Sequence, residues 1–415
     1  MLKQILLLLF LLISNALISQ NGTSTPYSLF GLGIENKTAT GGLTGLGNTG
    51  FAQKNISEIN IYNPANLGNM EQNSFLYEFG INGVFSEIKT DNTSDKTNDA
   101  NISHFAIAFP IKKGLGVSLG LLPYTKVGYD VDLQNYIEGS TSTYTTRITG
   151  LGGLSKFYLS SGIKIDENLS LGVDLSFLFG SIDQETQVYS NSFVSISDVN
   201  RYSGVKLKTG IQYTLPKIKG REITIGAVIE LPTSLSGAQT RNSYKVTSSD
   251  VEVAIETDIE NELDDFELPL AYGFGITSQL NKSITTSFDF KKLLWGNTNQ
   301  LQNTESYVDQ DIYAFGLEYY NPSKRNLNSS WNKIKYRFGF NYNTGFLQIS
   351  KTQIDSRFVS IGLGIPITKD KTNFNISYSY GKEGTIGNNL IEENYHKITL
   401  NLNFVGRWFE KRKFF

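Results

Sequence analysis

The chain has 415 residues, among them 26 Phe, 22 Tyr and 39 Gly, with only 18% charged residues and a formal net charge of −2. The absence of cysteine excludes a disulfide framework, thiolate catalysis and an acylated lipoprotein start, and the near-neutral balance offers nucleic acid no basic surface. Abundant aromatics and glycine with sparse charge suit a sheet that meets lipid on one face and water on the other.

The chain opens with Met1 and Lys3, an almost unbroken run of Leu, Ile and Phe from Ile5 to Ile13, and then Ser14-Asn15-Ala16-Leu17-Ile18-Ser19, which supplies small residues for cleavage. This is the pattern of a secretory signal peptide over residues 1–19, because the apolar run is shorter than the ~18 residues of a helical span. The mature chain then starts near Gln20, outside the cytoplasm.

Residues 20–72 form an N-terminal segment without sustained apolar periodicity. Its stretch Gly31 to Gly50 contains Gly41-Gly42-Leu43-Thr44-Gly45-Leu46-Gly47, which lacks the Lys-Ser/Thr ending, the preceding strand and the following helix of a phosphate-binding loop. It reads as irregular backbone folded inside a barrel, and Ile59 to Leu67, with Asn63-Pro64-Ala65, reads as ending in a turn.

Residues 73–405 change character. Leu169, Leu171, Val173, Leu175, Phe177 and Phe179 alternate with Ser170, Gly172, Asp174 and Ser176; Tyr336, Phe338, Phe340 and Tyr342 alternate with Arg337, Gly339, Asn341 and Asn343; Ile398, Leu400, Leu402 and Phe404 alternate with Lys397, Thr399, Asn401 and Asn403. Each is a period-two strand. Fourteen such segments are predicted, near 73–88, 101–111, 114–126, 151–165, 168–183, 201–215, 221–235, 267–280, 282–295, 307–321, 333–346, 355–368, 372–382 and 394–405. Short connections such as Lys112-Lys113-Gly114 and Asp166-Glu167-Asn168 alternate with long ones near 89–100, 127–150, 184–200, 236–266, 296–306, 347–354 and 383–393. The expected fold is all-β, a transmembrane antiparallel β-barrel of about 14 strands with periplasmic turns, extracellular loops and the N-terminal segment as a plug. Its place is the outer membrane of a Gram-negative bacterium, in contact with outer-membrane lipid.

Several residues stand out as candidate sites. Asp174, Lys206, Lys208, Glu230, Asp289, Lys291, Glu318 and Arg337 fall on the predicted inner face, where a wet or plugged lumen tolerates charge; they are expected to brace the plug or to line a polar pathway. Pro123 removes a ladder donor inside the third strand, so it marks either a lateral gap in the wall or the end of the strand's membrane portion. The acidic run from Asp250 to Glu267 fits no regular calcium loop and is read as a solvated extracellular loop, with no metal assigned. Residues 406–415 form a basic-aromatic periplasmic tail, in which Arg407, Trp408, Phe409, Lys411 and Arg412 are candidates for docking another protein. No nucleophile-and-base constellation or cofactor motif emerges, so the chain is read as no enzyme. His396 beside Tyr395 is read as a membrane-interface residue.

With these residues in view, the chain resembles the FadL/TodX-type family of outer-membrane transporters for long-chain fatty acids and hydrocarbons. Gly41-Gly42 to Ala52 followed by Asn63-Pro64-Ala65 is similar to that family's plug, and Gly150-Leu151-Gly152-Gly153-Leu154, leading into Tyr158 and Gly162-Ile163-Lys164, is similar to its Gly-Gly-Leu strand entry. Pro26-Tyr27-Ser28-Leu29-Phe30-Gly31-Leu32-Gly33 and the ending from Gly406 to Lys413 resemble a branch found in Bacteroidota. The resemblance implies a plug made of Gly41, Gly42, Gly45, Gly47, Asn63, Pro64 and Ala65, with hydrophobic small molecules binding between plug and wall and leaving sideways at a kinked strand. The inner face departs from that pattern, being rich in Ser, Asn, Gly and charge. Two functions follow as expectations: a passive channel for hydrophobic small molecules gated by the plug, or a non-transporting accessory subunit of an outer-membrane secretion or barrel-assembly complex, PorV-like, bound to other outer-membrane or periplasmic proteins.

Overall fold

The computed structural model describes residues 25–407 except 38, 56, 190–192, 219, 248–250, 299–304, 322–332 and 368–371. The expected signal peptide, and the tail residues Trp408, Phe409, Lys411 and Arg412, lie outside the described residues.

Fourteen antiparallel staves close into a barrel: β1 (Ser74–Lys89), β2 (Ser94–Lys112), β3 (Leu115–Pro123 and Thr125–Tyr136), β4 (Thr143–Lys164), β5 (Leu169–Tyr189), β6 (Phe193–Ile218), β7 (Arg221–Glu230 and Thr233–Val246), β8 (Glu252–Leu268 and Ala271–Gln279), β9 (Ile284–Leu293), β10 (Gln310–Tyr319), β11 (Lys335–Asn343), β12 (Ser356–Pro366), β13 (Asn373–Gly384) and β14 (Glu392–Arg407). The seam is β1 against β14, paired from Ser74 opposite Arg407 to Lys89 opposite Glu392. All fourteen predicted segments fall on these staves.

Burial is inverted relative to a soluble protein. On β5, Leu175 is 50% exposed and Phe177 45%, while Asp174 and Ser176 between them are 2% and 1% exposed. That arrangement is stable only where hydrocarbon covers the outside, which is what a closed sheet in a bilayer provides. The polar half of each alternating pair therefore faces the lumen.

The long connections are shorter than expected, because most of their residues extend the staves. β6 runs for 26 residues, more than twice the ~9–11 of a tilted membrane-crossing strand. The upper half of β7 pairs with β8 from Thr233 opposite Leu268 to Val246 opposite Glu252, so the acidic run from Glu252 to Glu267 is a strand and not a loop. Outside the membrane both faces of a strand are wet, so the apolar alternation that marks a lipid-facing strand fades there. Similarly, Gly150 to Leu154 lies within β4 and does not begin it. Gly152 and Gly153 hold φ of +118° and +132°, and a Cβ on Gly153 would overlap the carbonyl of Thr125, so this is a bend reserved for glycine.

Above the lumen, Trp295 stacks on Phe346 with centroids 4.9 Å apart and meets Tyr307 edge-on at 5.4 Å. With Leu32 and Phe266 these rings cover the end of the barrel that carries the long connections.

Candidate functional site: the occupied lumen and the split in the wall

Residues 25–72 run down the inside of the barrel. At the long-connection end, the Tyr27 hydroxyl donates to the carbonyl of Ile391 at 2.7 Å and accepts from its N–H at 3.0 Å. At the short-turn end, a 3-10 turn over Pro64–Asn69 precedes β1. The Asn63-Pro64-Ala65 motif explains this turn. Asn63 Oδ1 caps it by accepting from Ala65 N at 3.0 Å, while Nδ2 donates to Phe51 O at 2.7 Å and to Ile211 O of β6 at 3.0 Å. Pro64 occupies a first-turn position, where a backbone N–H would have no intrahelical partner and the donor that proline lacks is not missed. Ala65 is fully buried, with its backbone against Gly172.

A girdle of inward glycines receives this segment. A Cβ on Gly162 would overlap the carbonyl of Pro64, on Gly226 that of Phe51, and on Gly339 the N–H of Gly47; Gly116 and Gly172 stand as close to the backbone of Leu67 and Ala65, and Gly316 and Gly362 somewhat farther from that of Leu46 and Gly45. By register, Gly162 lies opposite both Gly116 and Gly172, and Gly316 opposite Gly339. Gly41 and Gly47 hold φ of +57° and +66°, and a Cβ on Gly42 would enter the guanidinium of Arg337.

Carboxylates pin the segment's amides. Glu78 on β1 accepts from Gly41 N and, at 3.0 Å, from Ile59 N, and it is joined by Asn401 Nδ2 at 3.0 Å and His104 Nε2 at 3.3 Å. Asp289 on β9 accepts from Gly50 N at 2.6 Å and Phe51 N at 2.9 Å through one oxygen. Within the segment, Glu58 accepts from Gly42 N and from the amides of Asn55 and Asn375, and pairs with Arg337 at 3.4 Å. Burial pushes the Glu58 carboxyl up, but Arg337, Lys335 and those donors outweigh it and hold it down at about 2. Wall amides and amines serve the segment's carbonyls: Asn341 donates to Gly47 O, Gln212 to Phe51 O, Asn403 to Ser57 O and Lys208 to Ile61 O.

The charges at Asp174, Lys206, Lys208, Glu230, Asp289, Lys291, Glu318 and Arg337 fall into separate groups. Glu230 lies between Lys206 at 2.7 Å and Lys291 at 2.9 Å. Asp174 faces Lys156 at 3.6 Å and accepts from Ser160 and Ser176. Arg337 bonds Glu318 at 2.8 Å besides Glu58. Asp289 accepts from backbone amides and, among the described residues, forms no ion pair.

Pro123 ends the lower half of β3. Below it β3 pairs with β2 from Phe105 opposite Leu121 to Lys112 opposite Leu115. Above it, Thr125–Tyr136 pairs with β4 and, on the other edge, only with the short strand Ile34–Glu35 of the N-terminal segment. The upper part of β2 pairs only with β1. The wall therefore splits above Pro123, and an ion pair between Lys126 and Asp99 spans the split. Behind it lies a cavity of about 170 Å³ lined by Ile34, Val84, Phe358 and Tyr395 together with Lys37, Lys126 and Lys397. A separate polar cavity of about 200 Å³, lined by Gln53, Lys54 and Glu222, lies toward the short turns. Among the described residues no cluster of His, Asp and Glu is arranged to hold a metal ion.

Sequence reasoning missed Glu58, Glu78, His104, Asn375, Asn401 and Asn403, and the girdle. A polar residue every second position signals an inner face but not its partner; only the inward register of the glycines carried a hint of backbone contact. Of the tail candidates, Arg407 lies at the end of β14 opposite Ser74.

Among solved structures, the chain is similar to the toluene transporter TodX of P. putida, with 14% identity and a TM-score of 0.64 over 91% of this chain and 100% of that one. It is similar to a Pseudomonas aeruginosa FadL homologue at 12% identity and a TM-score of 0.62, over 91% and 100% of the two chains. The CymD monoaromatic hydrocarbon channel gives 14% identity and 0.59 over 90% and 98%. At such identity the likeness shows the fold, a FadL-type outer-membrane barrel. No curated protein matches the chain. Its sequence is matched over residues 1–415 by the family model BamG, and the chain belongs to that family.

Proposed function

We propose that this protein is a passive outer-membrane channel for small hydrophobic compounds, entered through the wall above Pro123, with the N-terminal segment controlling access. The observation that carries this reading is the split between β2 and β3 with a partly apolar cavity directly behind it. A solute dissolved in the outer leaflet would pass between the staves, where the Lys126–Asp99 pair and the strand Ile34–Glu35 stand in its way. The neighbours named as toluene transporters and hydrocarbon channels share this fold, which supports the reading by analogy. The signal peptide read over residues 1–19 belongs to this proposal as the export step.

The test closes the split. Asp99→Cys with Lys126→Cys in this cysteine-free chain allows a disulfide across it. Uptake of an aromatic hydrocarbon such as toluene by cells carrying the oxidised variant is expected to fall to the level of cells without the protein and to recover on reduction. Unchanged uptake in the oxidised form would refute a route through the split.

A second reading is favoured by one observation: the lumen toward the short turns is polar and stitched to the segment by buried carboxylates. In that reading the barrel is an accessory subunit of a secretion or assembly complex, and its tail from Arg407 docks a protein partner. Purification in mild detergent distinguishes the two, since a stoichiometric complex that is lost on deleting residues 408–415, at equal membrane yield, supports the accessory role.

A further inference from the structure

We propose that residues 39–70 are an internal template on which the barrel wall closes, and not a stopper that enters or leaves a finished pore. The inference rests on geometry alone and holds for either reading of function.

Clearance is the first argument. Over much of its length the segment lies backbone against backbone on the glycine girdle, so no layer of side chains separates it from the wall. Interiors packed this closely do not slide without first opening.

The seam is the second. Staves β1 and β14 are the first and last of the wall and must meet to close it. Glu78 on β1 lies opposite Asn403 on β14, and Gly80 opposite Asn401. Across that joint Glu78 holds Gly41 N and Ile59 N, Asn403 holds Ser57 O, and Asn401 bonds Glu78 itself. The segment thus binds both edges of the last joint to form. Glu78 and His104 are both fully buried with the segment in place, and without it the carboxylate at this joint would lose two amide donors.

Direction is the third. Tyr27 is bonded at the long-connection end, and Leu67 lies against Gly116 beside the short turns. Insertion after closure would require threading residues 25–38 past the girdle, whereas closure around a segment already in place requires none.

The test follows refolding of the full chain into detergent micelles, with the closed barrel read by its heat-sensitive mobility in SDS gels. In the Thr49→Cys variant the only thiol lies at a buried, nearly isosteric position of the segment, and pulses of maleimide report its protection. Protection is expected no later than the appearance of the closed band; a closed band whose thiol still reacts would overturn the proposal. Gly339→Val presses a side chain into Gly47, and the closed form is expected to fall about tenfold or more, given the cost of overpacking. Gly83→Val, which meets open space on the outer face of β1, is the control for valine in place of a wall glycine and is expected to close normally. A Gly339→Val barrel that closes in wild-type yield and leaks would show that the segment is a mere stopper.

Discussion

Arg337 ties the N-terminal segment to two neighbouring parts of the wall. It holds Glu58 of the segment, Glu318 of β10 and Asn375 of β13 while 5% exposed. Arg337→Met would keep the bulk of the side chain but leave Glu58 without its ion-pair partner in a desolvated site and Glu318 with Lys335 alone. Removing one partner of a buried pair typically costs about 3–5 kcal/mol. The variant is expected to lose stability on that scale in detergent, seen as a lower midpoint for loss of the heat-sensitive gel form. An unchanged midpoint would mean that water compensates the carboxylates. Glu58 also carries a pH signature. Its folded-state value of about 2 lies below its ordinary 4.5, so its stabilisation is fully present above pH 4.5 and is lost as pH falls toward 2. The stability difference between wild type and Glu58→Gln should therefore be constant at neutral pH and shrink in that acid window; a difference that persists at pH 2 would contradict the assignment.

At the scale of elements, the upper halves of β7 and β8 form a hairpin that rises above Pro232 and Pro269 and pairs with the upper part of β6. Its carboxylates are largely exposed, Ile255 is 60% exposed, and little of the hairpin contributes to the core. Replacing residues 237–264 with a short Gly-Asn turn is expected to leave the closed, heat-shifting barrel intact, because the membrane-level pairing of Arg221–Glu230 with Ala271–Gln279 is untouched. Loss of the closed form would place this hairpin in the folding core. The hairpin also shows where the sequence was legible and where it was not. Alternation in Leu169 to Phe179 and in Tyr336 to Tyr342 revealed the membrane-level staves, because lipid on one side and water on the other force a period of two. In Glu252 to Glu267 water bathes both sides, and acidic residues spaced for edge protection read as a loop. Inside the lumen, Asp174, Glu230 and Arg337 were legible as inward charges from that same alternation. Their partners were not, because Glu58 and Arg337 are joined across 279 positions of sequence, and no local pattern encodes such a meeting. Pro123 was legible as a break, but the separation of β2 from β3 depends on which edges pair above it.

For the molecule as a whole, the cavity behind the split shares Glu35, Asn36, Lys37 and Asn48 with a second one beside Phe51 and Asp289, but neither shares a lining residue with the cavity at the short-turn end. The decisive feature is that this lower cavity lies across a closely packed segment from the upper two. Between them lie Leu46 to Ala52, pressed on Gly316, Gly339, Gly226 and Gly275 and held by Asp289. An ion entering from either end meets this closely packed backbone. In planar bilayers the purified protein is therefore expected to show no steady ionic current at moderate voltage, although a fourteen-stranded barrel without an occupied lumen would leave an aqueous pore. A persistent conductance of pore size in the wild type would mean that Leu46 to Ala52 leave the girdle in the membrane, and both the sealed lumen and the template would fall with it. Silence in the wild type, combined with current in any Gly316 or Gly339 variant that still closes, would locate the seal at the girdle itself.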